Sequence, residues 1–129
     1  MKVTKSSQLF ISTPDQPGEL AKVMDIVAKA RINILAYCGW GEGSRGQVML
    51  ITTDNATVKS LLEKAGYDSN ESPVVLAQDQ DVVGSGAAIA RKVAAAGVNL
   101  RSAYATCAGG NYLTVLISDD ANKLAAALK

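Results

Sequence analysis

Residues 13–20 read Thr13-Pro14-Asp15-Gln16-Pro17-Gly18-Glu19-Leu20, and this stretch decides how the rest of the chain is read. Its two prolines restrict the backbone and its glycine permits a positive φ, so it is a turn between two regular elements. Before it, Gln8-Leu9-Phe10-Ile11 is a short apolar run suited to a buried strand. After it, Leu20, Val23, Met24 and Val27 recur at i, i+3, i+4 and i+7, one face of a helix. Ile32-Asn33-Ile34-Leu35-Ala36-Tyr37 reads as a second strand, and Val48-Met49-Leu50-Ile51 as a third. Gly39, Gly41, Gly43 and Gly46 surround the hairpin between them. Asp54 or Asn55 can cap a following helix with Val58, Leu61 and Leu62 on its apolar face. A final, polar strand is expected near Tyr67–Ser72. The order is strand, helix, strand, strand, helix, strand.

The same order then repeats. An offset of 66 residues carries Asp15 onto Asp81, Gly18 onto Gly84, Asn33 onto Asn99, Gly43 onto Gly109 and Asp54 onto Asp120. Matches at Gly, Asn and Asp are punctuation, which shared apolar composition does not explain. Val74-Val75-Leu76-Ala77 opens the second copy. A helix with Ile89, Val93 and Ala96 on one face follows, then strands at Val98–Leu100 and Tyr112–Ile117 and a helix from about Ala121. The sequence ends at Lys129 in or just after that helix, so the second copy lacks its last strand. An open sheet edge, which another chain could cover, is the expected consequence.

Composition narrows the function. The 129 residues are 48% hydrophobic and 19% charged, with aromatics at 5%, so the cores are built from Val, Ile, Leu and Ala. Thirteen basic and twelve acidic residues leave a formal charge of +1. The basic residues are scattered singly and do not interleave with aromatics, which argues against nucleic acid. No apolar run approaches the roughly 20 residues of a bilayer span. No long apolar segment follows Met1-Lys2-Val3-Thr4-Lys5, so a cytoplasmic protein is expected. There is no histidine, which removes the commonest general base, the Ser-His and Cys-His pairs and the usual zinc ligand. Cys38 and Cys107 form neither a CxxC pair nor a metal cluster and are expected as small buried hydrophobes.

The D-x-P-G-x-L loop at Asp15–Leu20, with Ile32-Asn33-Ile34 after it and the tandem βαββαβ order, resembles an ACT domain. Such domains are regulatory modules of amino-acid-metabolism enzymes. The resemblance is clearest over residues 8–62 and weaker over 74–129, and the layout is similar to stand-alone tandem ACT proteins. It implies an α+β fold of two ferredoxin-like βαββαβ repeats, residues 1–71 and 72–129, packed side by side in a sheet of about eight strands. It also implies a regulatory rather than catalytic protein with no cofactor, and the small cores and missing last strand add the expectation of a homodimer. A free amino acid would be held between repeats or chains near the loop before the first helix.

The residues the resemblance brings to that site are Thr13, Asp15, Gln16, Pro17, Gly18 and Asn33, with Asp79, Asp81, Gly84 and Asn99 in the second copy. The chemistry agrees with the assignment. Backbone N–H groups at a helix N-terminus suit a carboxylate, and an aspartate accepts from an ammonium. Each residue also has a structural use: Asp15 as a cap or turn former, Asn33 and Asn99 as strand-start residues bonding a neighbouring loop. The second loop, Val82-Val83-Gly84-Ser85-Gly86, has lost the proline and the leucine, which puts an equivalent second site in doubt.

Two other features compete for attention. Val82–Ile89 resembles half of a dinucleotide fingerprint, but the third glycine position is Ile89 and no acid follows near Asn99–Ser102. Trp40, among glycines, either packs on its own domain or anchors a partner. The reading from another class is an assembly or docking module with no small-molecule ligand.

Overall fold

The computed structural model describes all 129 residues. Its elements are β1 (Lys2–Pro14), α1 (Glu19–Lys29), β2 (Ile34–Glu42), β3 (Arg45–Thr52) and α2 (Asn55–Lys64). These are followed by β4 (Asp68–Gln80), α3 (Ser85–Ala95), β5 (Leu100–Ala108), β6 (Asn111–Ser118) and α4 (Ala121–Leu128). The offset of 66 holds at every boundary except the end of α4. It extends to detail: Gly18 and Gly84 both start a helix in the left-handed region, at φ 90 and 92. Register shifts fall at Ile34/Ala36 in one copy and at Leu100/Ser102 in the other.

The chain divides into two compact units, Ser7–Ser72 and Met1–Ser6 with Pro73–Lys129. In the first, the strand order is β2-β3-β1-β4, with β3 antiparallel to both β1 and β2. Leu9, Ile11, Val48 and Leu50 from the strands meet Val23 and Val27 of α1 and Val58 and Leu62 of α2 in one core. Seven of these eight side chains have no exposed area, and the other, Val48, has little; each fully buried aliphatic contributes roughly 1.5–3 kcal/mol. The two helices therefore cover one face of this sheet, the ferredoxin-like arrangement of an α+β fold.

In the second unit the order is β5-β6-β4-β1, around Val75, Ala77, Ile89, Val93, Tyr112, Leu116, Leu124 and Leu128. In sequence order α4 is the last element. The edge expected to stand open is nevertheless occupied. The N-terminal part of β1, Lys2–Ser6, lies in this unit. Val3 packs on its core, the Met1 ammonium is 3.2 Å from Asp79 and Lys5 donates to Asn122 at 3.0 Å. The expected eight strands become six because β1 and β4, 13 residues each, serve both units in turn. The strands expected separately at Tyr67–Ser72 and Val74–Ala77 are one. No glycine interrupts them, and Pro73 at the unit boundary has a fixed φ compatible with extended chain.

The cysteines depart from expectation, Cys107 being exposed and Cys38 only partly buried. Both sit on β2 or β5, the strands at the ends of the two orders, where one side has no neighbouring strand. No helix is long and apolar enough to cross a membrane.

Candidate functional site

The loop 13–18 leaves β1 and enters α1, and the structure gives each of its residues a defined place. Thr13 ends the buried run of β1 opposite Gly46 of β3. It is buried, and its hydroxyl donates to the Pro14 carbonyl at 3.0 Å. The Asp15 N–H donates to the Ser44 carbonyl at 3.2 Å, tying the loop to the β2–β3 hairpin. The Asp15 side chain is exposed and leans over Gly41, where a Cβ would stand 3.1 Å from its Oδ2. Pro17 is exposed. Gly18 is the N-cap, and no side chain caps α1. Asp15 is therefore not the cap, and the opening amides of α1 are left without a side-chain acceptor. In contrast Asp54 and Asp120 cap α2 and α4 through the Thr57 and Lys123 N–H groups.

Glu19, which the sequence reading passed over, organises the back of the loop. It is buried, and its carboxylate accepts from Tyr67 at 2.6 Å, from Gln16 Nε2 at 2.9 Å and from Lys22 at 3.5 Å. The Tyr67 hydroxyl above all, then Gln16, holds the Glu19 carboxyl below its ordinary range, and the same bond pushes Tyr67 up to about 12. Gln16 is thus held against α1, with its amide committed to Glu19. Nothing near Glu19 in sequence points to Tyr67; only the apolar flank of the helix hinted that position 19 would turn inward.

In front of these groups lies an open cavity of about 230 Å³. Thr13, Asp15 and Glu19 line it with the apolar Leu20, Tyr37 and Val48, over a floor that includes Gly39 and Gly46. No lysine or arginine lines it. The arrangement offers a carboxylate for a cationic group and the positive end of α1 for an anionic one.

The remaining candidates stand elsewhere. Asn33 is exposed just before β2, its backbone bonded to Thr53 through an N–H···Oγ1 of 3.3 Å and a carbonyl accepting at 3.0 Å. In the sheet register Pro14 pairs with Arg45 and Ile34 with Thr52, the two ends of β3. Eight residues of strand, about 25 Å, therefore separate Asn33 from the loop of its own unit. Asn99, before β5, is separated from Asp81 and Gly84 in the same way.

In the second unit Asp81 donates its N–H to the Gly110 carbonyl at 2.8 Å, as Asp15 does to Ser44. Asp79, 46% exposed, accepts from its neighbour Gln80 N–H and pairs with the Met1 ammonium, and both hold its carboxyl below the usual range. Gly84 starts α3 with no side-chain cap, and Val82 and Val83 stand out into solvent. Trp40 packs edge-on against Phe10 with ring centroids 6.0 Å apart, yet keeps 39% of its surface exposed. No group of three or more Cys, Asp or Glu side chains is placed to hold a metal ion.

No protein-family model and no curated protein matches the chain. Solved structures do. A protein from Bacteroides thetaiotaomicron superposes with a TM-score of 0.90 at 23% identity, over 98% of this chain and 88% of that one. The regulatory subunit of aspartate kinase from Thermus thermophilus, in its ligand-free form, matches with a TM-score of 0.77 at 19% identity, over 99% and 95%. A putative C-terminal regulatory domain of aspartate kinase from Porphyromonas gingivalis matches at 0.63 and 13% identity, over 98% and 93%. The chain has the fold of these regulatory subunits and domains, as the resemblance to an ACT domain implied. Its layout is the tandem one, two ferredoxin-like repeats spanning nearly the whole length of the regulatory subunit it resembles.

Proposed function

We propose that this chain is a non-catalytic regulatory protein that binds a small molecule, a free amino acid, under the loop preceding α1. The observation that carries the reading is the cavity at Thr13–Leu20. There an exposed aspartate and the first residues of a helix with no side-chain cap border a partly apolar space. A zwitterion needs that pair of features, and Leu20 and Tyr37 supply apolar surface for a side chain. The regulatory subunits and domains among the structural neighbours support the same role. The protein acts as a homodimer on an enzyme of amino-acid metabolism in this reading, and Asn33 reaches a ligand only from another chain.

A thermal-shift screen of the twenty amino acids tests it. An amino acid at about a hundred times its Kd adds about 2.7 kcal/mol to the folded state, a rise of several degrees in Tm for a chain of this size. Asp15→Ala, at an exposed position, abolishes the response and leaves the unliganded Tm in place. One observation favours the assembly reading: β2 ends the strand order, and Leu35, Tyr37 and Trp40 on it are 46, 54 and 39% exposed. A stable dimer that responds to none of the twenty would decide for assembly and against the sensor.

A further inference from the structure

Because the two repeats share one backbone plan, each position of the loop cavity has a counterpart, and the counterparts differ in the side chains they carry. Gly41 and Gly46 face each other across β2 and β3. Cys107 and Tyr112 hold the same paired positions on β5 and β6. A Cβ at Gly46 would stand 2.6 Å from the Thr13 hydroxyl oxygen, and one at Gly41 3.1 Å from the Asp15 carboxylate. The two glycines are what allow Thr13 and Asp15 to fold down over the hairpin.

In the other repeat that ground is taken. Tyr112 is buried in the core beneath the second loop. Asp79, the counterpart of Thr13, is 46% exposed and ion-paired with the chain's own N-terminus, where Thr13 is buried. The Cys107 thiol lies against the Asp81 carboxylate; burial and that contact raise its pKa. The apolar wall is gone as well, since Leu20 and Tyr37 become Gly86 and Ala103. The larger groove of about 600 Å³ in this unit overlaps that position only in part, at Asp79, Gln80, Val82, Ser85 and Tyr112, the counterparts of Thr13, Pro14, Gln16, Glu19 and Gly46. It runs past Met1, Val83, Arg91 and Lys92 and touches neither Gly86 nor Ala103.

We infer that each chain holds one amino-acid ligand, in the Ser7–Ser72 repeat, and that Tyr112 and Cys107 close the equivalent site of the other repeat. The inference rests on the sensor reading above, and one experiment separates their failures. Backbone-amide NMR spectra of the full chain are followed as each of the twenty L-amino acids is added in turn. The expected result is that at least one amino acid shifts residues within 13–20 and 37–48 with one-site saturation, while residues 79–86 and 103–112 stay in place. Gly41→Cys, which transplants the closing residue, weakens those shifts at least tenfold in apparent Kd. Its Cβ meets only the end of the exposed Asp15 side chain, so the fold is kept. Matching shifts in both repeats, or full binding by Gly41→Cys, would overturn the single-site inference and leave the sensor reading standing. Shifts in neither repeat for any of the twenty would overturn both.

Discussion

Lys2–Ser6 lies beside Ser7 in the chain, yet it belongs to the unit made by Pro73–Lys129, and a single substitution can prove it. Val3 is the only apolar residue among those five and is partly buried against Val75, Leu116 and their neighbours. Val3→Ala removes two methyl carbons, worth about 0.8 kcal/mol each when fully buried. Partial burial halves that sum, leaving a loss of about 1 kcal/mol, or roughly a four- to fivefold rise in the opening equilibrium. Native-state hydrogen exchange is the assay, because it assigns the loss to particular elements. The amides of β6 and α4 should lose protection by that factor, more than a hundred residues away in sequence, while those of β3 and α2 keep theirs. Equal losses in β3 and α2, or losses confined to them, would refute the assignment of the N-terminal strand.

Other substitutions probe single interactions. Asn55 is buried and accepts from the Thr52 N–H at 2.9 Å while donating to the Ser7 carbonyl at 2.9 Å. Asn55→Ala strands both partners, and at about 1–3 kcal/mol for each buried group left unpaired it costs about 2–6 kcal/mol of stability, read by denaturant unfolding. Gly46→Ala drives a methyl into the Thr13 hydroxyl and costs about 1–3 kcal/mol; a double-mutant cycle with Thr13→Ala, read by denaturation, recovers most of it. Tyr67→Phe moves the Glu19 carboxyl back toward 4.5, read by carboxylate NMR titration, because Tyr67 is the main cause of its depression. Glu19 contributes stability above that ordinary value, lost as pH falls through the depressed one, so the variant loses less on acidification. At the alkaline end the Tyr67 contribution is complete below its ordinary 10 and lost as pH rises toward about 12, so wild type weakens across that window and Tyr67→Phe does not.

Most of the fold was legible because backbone rules leave marks in sequence. Turn glycines, a 3.6-residue apolar period in α1 and short apolar runs fixed the element order, and the offset of 66 doubled every signal. The N-terminal strand escaped because Lys2-Val3-Thr4-Lys5-Ser6 has one apolar residue and lies on an edge, where no alternation is required. The same offset held the missing information. It maps Lys2–Ser6 onto Asp68–Ser72, a segment already expected to be a strand. A strand that serves one unit with its first half and another with its second carries no boundary of its own in composition. Thus β4 reads as two strands until coordinates join them.

The site was legible only where it coincides with the backbone. Asp15 and Gly18 were found through turn chemistry, whereas the Glu19–Tyr67 bond joins residues with no periodic relation and depends on how the chain returns from α2 to β4. The glycines sort themselves by the same distinction. Gly18 and Gly43 have φ values of 90 and 62, and both copies keep them, as Gly84 and Gly109 at 92 and 60. Their conformation strains any other residue, so the fold itself holds them in place. Gly39, Gly41 and Gly46 have no positive φ, and the second copy replaces them with Ala105, Cys107 and Tyr112 without disturbing an element boundary. What those positions control is side-chain space alone. The duplicated fold therefore sets Gly18 and Gly43, held by the backbone in both repeats, apart from Gly39 and Gly46, which the second repeat replaces and which line the cavity of the first.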